Sequence, residues 1–275
     1  MSDLLIRRRN LLIRKQEEEM NIRAVCFKAD GEQTVAITKV GSAPTITMQY
    51  SYDGVNWDAW DLSALPFGGN TKVYVRGVNN AGFGTNASNY NKITFSTDAF
   101  VYVSGIIESL LNGENEVLVL NTSGILRNLF YQQTALRSAE NLRFEAIRTN
   151  YNGTAAFALM FYGCTNLLYA PKALSIEAFK GGYEYSHMFY GCTSLVNAPE
   201  LLGISLYGYV YQNMFYGCTS LNTIRCHAKF TAQNATQGWL NGVATSGTFY
   251  GHSEYGWSSG VSGIPSGWTF VELTD

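Results

Sequence analysis

Between Arg23 and about Ser109, apolar and polar residues alternate in short runs broken by frequent turn residues. A period of two marks half-buried strands. It predicts strands over 24–29, 34–40, 45–52, 72–78, 92–96 and 100–106. Asp30-Gly31 and Asp53-Gly54 read as hairpin turns, because glycine takes a positive φ at no steric cost. Six short strands at this spacing predict a small β-sandwich of immunoglobulin-like architecture over 23–108. The Cys–Trp–Cys framework of an antibody-type domain is not in the sequence.

Beyond residue 109 alternation gives way to repetition. MFYGCTNL at 160–167 and MFYGCTSL at 188–195 and 214–221 follow a degenerate LFYQQTAL at 129–136, with starts 31, 28 and 26 residues apart. Ala170-Pro171 and Ala198-Pro199 follow two of these octets at equal offsets. A period in this range with phased leucines predicts a leucine-rich solenoid. One unit cannot bury its own apolar face, whereas stacked units share a core. Met188, Phe189 and Leu195, with their counterparts, should then point inward. Gly191 permits the tight turn, and Cys192 is a small side chain able to satisfy backbone groups there. A strand is expected near 167–170, 195–198 and 221–225, with Pro171 and Pro199 ending the first two, since proline donates no ladder hydrogen bond. The array should fill 109–248, with a C-terminal cap over 249–275. Gln132-Gln133 in place of Gly-Cys marks the first unit as an atypical terminal repeat.

Residues 1–22 carry a third pattern. Leu4-Leu5-Ile6-Arg7 recurs seven residues later as Leu11-Leu12-Ile13-Arg14, a step that returns to nearly the same helix face. Arg7, Arg8, Arg9, Arg14 and Lys15 oppose Asp3, Glu17, Glu18 and Glu19. Two heptads are too few for a free coiled coil, and a helix of ~15 residues is marginal alone in water. Two readings stand: a frayed, partly helical terminus, or an arm that orders on a partner through its leucine stripe and arginine cluster. The longest apolar run here is three residues, short of the core an export signal needs. The three glutamates before Cys26 also exclude a lipoprotein leader. No signal-directed export is expected, and Cys26 reads as a buried strand residue.

Composition narrows the class. Charged residues make up 15% of the chain, below the usual ~25%. Gly (27), Tyr (18) and Phe (15) take their place, which suits β structure with tight turns. A net charge of -2 gives no general attraction to nucleic acid, and no apolar run is long enough to span a membrane as a helix. Cys164, Cys192 and Cys218 share one repeat position; Cys26 and Cys226 complete the set of five. Coils ~4.8 Å apart would allow a disulfide sterically. Three equivalent thiols cannot all pair, so a buried, reduced thiol ladder is expected. Cys226-His227 has no second ligand pair at zinc spacing, and neither a metal nor a cofactor is expected. His187, just before an octet, reads as a surface substitution. Trp57 and Trp60 beside Asp58 and Asp61 offer either a sugar contact or packing at a hairpin end. No nucleophile-elbow, zinc-protease or phosphate-loop motif occurs, so no catalytic residue is assigned.

The repeated MFYGCTSL unit with its following Ala-Pro resembles the BspA-type leucine-rich repeats of gut Bacteroidales and of their phages and prophages. The run Gly105-Ile106-Ile107-Glu108-Ser109-Leu110-Leu111 resembles the junction between β domain and solenoid. Trp239-Leu240-Asn241-Gly242-Val243-Ala244, Gly247-Thr248-Phe249 and Gly263-Ile264-Pro265-Ser266-Gly267-Trp268-Thr269 resemble the family's end piece. Arg7-Arg8-Arg9 shortly after Met1 resembles the arm of phage-encoded members. The resemblance implies a mainly β chain: helical arm 1–22, immunoglobulin-like sandwich 23–108, solenoid 109–248, cap 249–275. It implies a non-enzymatic phage structural protein located in the virion, a head or tail fibre or decoration. Leu4, Leu5, Arg7, Arg8, Arg9, Leu11, Leu12 and Arg14 would grip a capsid or tail protein. The solenoid would face a host-surface glycan or protein. Tyr183, Tyr185, Tyr207, Tyr209 and Tyr211 are expected to make that contact, with packing between coils as the competing role. Fibre symmetry suggests a homo-oligomer, a trimer. A bacterial cell-surface adhesin is the alternative, and a carbohydrate-active enzyme resting on Asp58 and Asp61 is a third reading.

Overall fold

The computed structural model describes residues 22–113, 123–144, 154–174, 182–203, 205–229, 234–260 and 262–274. The expected arm, with Leu4, Leu5, Arg7, Arg8, Arg9, Leu11, Leu12 and Arg14, lies outside them except for Ile22. Ile22 itself packs with Trp57 against Ala24, Cys26 and Tyr74, so it belongs to the body. The described residues are mainly β and form several sheets.

Nine strands come first: β1 (Val25–Ala29), β2 (Gln33–Val40), β3 (Met48–Ser51), β4 (Asp58–Trp60), β5 (Leu65–Phe67), β6 (Val73–Gly77), β7 (Gly84–Asn86), β8 (Asn89–Phe95) and β9 (Val101–Ile106). A short helix α1 (Ser109–Asn112) and β10 (Leu136–Arg143) follow. One sheet runs β10-β9-β1-β6-β3-β4 and the other β5-β2-β8-β7. Six of the nine strands match the alternation. The three missed, β4, β5 and β7, have three residues each, and Pro66 in β5 is tolerated because that strand is an edge. Asp53-Gly54 turns the β3–β4 hairpin as expected. Asp30-Gly31 does not make a hairpin: β1 pairs with β6 and β9 while β2 pairs with β5 and β8, so the dipeptide carries the chain from one sheet to the other. The Phe27 ring fills the space between the sheets, against Phe67 at 6.3 Å and Phe95 at 5.7 Å.

After α1 the chain winds into stacked turns, here called rungs, at 124–133, 155–164, 183–192, 209–218 and 235–243. Their backbone hydrogen bonds alternate. Ala158, Met160, Tyr162 and Cys164 donate three residues back, to Ala155, Phe157, Leu159 and Phe161. Phe157, Leu159, Phe161 and Gly163 donate instead to Glu184, Ser186, Met188 and Tyr190 on the next rung, at 2.8–3.0 Å. Every buried amide on this stretch therefore has a partner, as burial requires. Each successive turn closes through a left-handed residue, four positions apart: Ala155 (φ 59), Leu159 (φ 57) and Gly163 (φ 68), then Tyr183 (φ 65), His187 (φ 58) and Gly191 (φ 70). A left-handed non-glycine residue costs ~1–2 kcal/mol, and the inter-rung bonds hold it there.

Identical register brings identical side chains together. Phe130, Phe161, Phe189 and Phe215 stack at 5.3–5.5 Å with ring planes within 7° of parallel. Met160, Met188, Met214, Leu167, Leu195 and Leu221 are fully buried, as the octet pattern predicts. The strand positions differ from expectation. Single bridges join Ser138, Tyr169, Asn197 and Thr223 in sequence, and β11 (Ala173–Leu174) and β12 (Glu200–Leu201) form beyond the prolines rather than before them. Pro171 and Pro199 interrupt the ladder between two pairing points. The fourth strand, β13 (Thr223–Arg225), falls where expected and continues into the parallel strands β14 (Gly247–Gly251) and β15 (Trp268–Glu272).

One boundary read from sequence falls inside a strand, and the other, at the start of α1, is bridged by hydrogen bonds across it. The expected cap begins within β14, and residues 235–243 form a fifth rung in which Trp239, Asn241 and Gly242 take the places of Met214, Tyr216 and Gly217. At the other end, β10 joins the first sheet beside β9, in parallel. The second sheet also continues into the stack: Ile93 N–H of β8 donates to Leu129 and Phe83 N–H to Ile125 on the first rung, at 2.8 and 2.6 Å. Gln133, where later repeats have cysteine, accepts from Phe95 N–H. Its departure from the octet is what ties the first rung to the β domain. Phe27 also meets Phe130 edge-on at 6.5 Å, and one hydrophobic core runs from Val25 to Trp268.

Phe189 sits between two parallel rings and is fully buried. Phe189→Ala is expected to lower the unfolding free energy by about 3–5 kcal/mol in urea titration. A loss under about 1 kcal/mol would contradict the shared core.

Candidate functional site

The rungs turn three kinds of side chain outward. The third octet position gives a row of half-exposed tyrosines. Tyr131, Tyr162, Tyr190 and Tyr216 stack at 5.0, 4.8 and 4.8 Å with planes 13°, 9° and 3° from parallel. On one flank lie the glycines Gly163, Gly191 and Gly217, whose missing side chains leave the surface low, and beyond them the exposed Thr165, Thr193 and Thr219. On the other flank lie the half-buried Leu159, His187 and Asn213 at the left-handed positions, in one column with the buried Asn128, and then Arg127 and Gln212, with the buried Ala158 and Ser186 between them. The row is legible in sequence, since tyrosine stands third in every octet, between the inward Phe and the turn.

The expected receptor tyrosines divide. Tyr183 (40% exposed) and Tyr207 (52%) reach solvent, and Tyr183 stacks on Tyr209 at 4.8 Å. Tyr185 (1%) and Tyr211 (0%) are interior and cannot touch a partner. They continue the inner column from Phe157 to Trp239, at 5.5, 6.2 and 6.1 Å. Position along the turn decides between contact and packing, the two roles the sequence allows these residues.

His187 is no simple surface substitution. It is half-buried, its Nδ1 lies 2.7 Å from Ser186 Oγ and its Nε2 3.1 Å from Asn213 Nδ2, and its ring stacks on Tyr190. Burial, followed by the Arg127 charge, holds its pKa below the ordinary histidine value. Arg127 is itself half-buried, its Nε has no hydrogen-bond partner among the described residues, and burial lowers its pKa.

The repeat cysteines are free and buried. Cys164, Cys192 and Cys218 donate from Sγ to Phe130, Phe161 and Phe189 carbonyls one rung back, at 3.0–3.1 Å. Each carbonyl between rungs thus uses both lone pairs, since Cys164 N–H already binds Phe161. Burial pushes the Cys164 and Cys218 thiols up to about 12 and the Cys192 thiol well above its ordinary value. Cys226 is buried while its neighbour His227 faces Glu200 at 3.0 Å, so the two do not converge. Cys26 is buried on β1.

The tryptophan–aspartate group is structural where its contacts are seen. Trp60 is buried and donates from Nε1 to Ser63 O at 2.8 Å, while Trp57 lies under the Arg76 guanidinium at 3.8 Å. Asp61 accepts from Ser63 hydroxyl and N–H, which hold its carboxyl below the usual range. Asp58 is exposed on β4. A groove of about 760 Å³ runs along the outer face of the first sheet, lined by Ala24, Cys26, Tyr74 and Ser104 and by the charged Lys28, Glu140, Arg143 and Lys172. No family profile, curated protein or solved structure matches the chain.

Two measurements test these assignments. Intact mass after alkylation should show five labels in denaturant and none in the native protein; a deficit of two in denaturant would reveal a disulfide. Because folding depresses the His187 pKa, the unfolded chain takes up that proton first. Stability is therefore lost as pH falls through about 6.5 and levels off below the folded value. His187→Asn, which suits the left-handed backbone, should flatten the midpoint-against-pH curve between about pH 7 and 5.

Proposed function

We propose that the chain is a non-enzymatic structural component of a phage virion. In this reading a BspA-type leucine-rich-repeat solenoid stands on an immunoglobulin-like sandwich, and residues 1–21 fasten both to a capsid or tail protein, with copies gathered as a trimer. The solenoid displays a surface to a glycan or protein on the host. The observation that carries the reading is the continuity between the two parts: β9 pairs with β10 and β8 bonds the first rung. The sandwich is therefore a base that holds the outward rows rigidly. A display protein needs that rigidity, since ordering a loose surface on contact costs affinity. The leucine stripe and Arg7, Arg8, Arg9 and Arg14 supply the apolar face and bidentate donors for attachment to acidic partners.

A chain beginning at Ile22 keeps the contact of that side chain with the body. Its melting temperature is expected to change little and its incorporation into virions to be lost. Normal incorporation would overturn the attachment role of residues 1–21.

A further inference from the structure

The tyrosine row is uniform, half-exposed and unused by the core. Stacked faces are consumed by neighbouring rings, so each tyrosine offers its edge and hydroxyl, repeated about every 5 Å along the stack. Threonine hydroxyls repeat in parallel across the low glycine strip. Such a surface matches a long ligand with its own short repeat and many hydroxyls. No residue of these rows is acidic. Two cations stand at the end nearest the β domain: Lys92 Nζ lies 5.9 Å from the Tyr131 ring centre, and Arg127 stands one turn from Tyr131. Ala158, the next residue in the Arg127 column, is small and buried, and Arg127 is half-buried with an Nε that has no hydrogen-bond partner among the described residues. A half-buried guanidinium suits a planar carboxylate.

We propose that the Tyr131–Tyr162–Tyr190–Tyr216 row, with Arg127 and Lys92 at its end, binds a linear polysaccharide bearing carboxylate groups, laid along the stack. This deepens the display reading above and rests on it: the row becomes the contact surface in place of Tyr185 and Tyr211. The net charge of -2 would repel such a polymer from the rest of the chain, so the local cations set both position and polarity. The ligand should enter with its acidic sugar at the Arg127 end.

Affinity electrophoresis of the full chain in gels carrying polygalacturonate, alginate or neutral dextran tests the proposal. Retardation is expected in the acidic gels and should weaken with salt. Tyr162→Ser with Tyr190→Ser should reduce it at least tenfold with the circular dichroism spectrum retained. Arg127→Gln should remove the preference for acidic over neutral polymer. Tyr52→Ser, exposed on the β domain and off the row, should change nothing and controls for surface damage. Retardation by dextran alone, or by none of the polymers, overturns the proposal, as does undiminished binding by the folded double variant. Virion adsorption to host cells separates the two claims. Loss of adsorption in the double variant without polysaccharide binding would sink this ligand and leave the display reading standing. Virions that carry the protein and adsorb equally well without it would sink the display reading.

Discussion

The commitment of every second rung amide to the next rung governs the molecule. Those donors cannot be satisfied within their own turn, because the intervening amides already close it. A rung therefore has no stable existence alone, and its outward and inward side chains are fixed by its neighbours. The same bonds impose the left-handed residue at every fourth position, and so explain why glycine, asparagine and histidine gather there. They also set adjacent aromatic rings about 5 Å apart and nearly parallel.

A stack built this way has two unlike ends. At the first rung carbonyls point away from the array with nothing of the same kind to receive, and Ile93 of β8 and Phe83, just before β7, supply the donors. The β domain gains from the same contacts, since β9 and the part of β8 that β7 does not cover would otherwise present open edges prone to pairing with other chains. At the far end tryptophans take over. Trp239 stacks on Trp257 at 5.3 Å, and their indole N–H groups reach Gly263 and Ala228 carbonyls. The ends are thus closed by different chemistry, one by backbone pairing and one by aromatic cover.

Much of this was written in the sequence in plain form. The octets announced stacking, the buried Met, Phe and Leu positions and the unpaired thiols. Alternation found the longer strands, β1, β2, β6, β8 and β9. What escaped was set by long-range pairing. Strands of three residues carry too little pattern, and Asp30-Gly31 looks the same whether the next strand folds back or crosses to another sheet. For Tyr185 and Tyr211 the letters allow either surface contact or packing between coils, and only the course of the four-residue turns decides for packing. Gln133 marks the first unit as an atypical terminal repeat, and its bond to Phe95 shows what that departure does. The tyrosine row was visible in the letters and lacked only a reason to face outward.

The direction of the inter-rung hydrogen bonds has a mechanical meaning. They run along the axis that separates the β domain from the last strand, so a pull between the two ends loads them lengthwise and in series. Such a column opens from its free end, one turn after another, instead of shearing as a block. Each turn released frees 26 to 31 residues, about 90–105 Å of extended chain, while the turns below keep their rows. Under such a load the molecule would lengthen in steps and rewind on the rungs still standing.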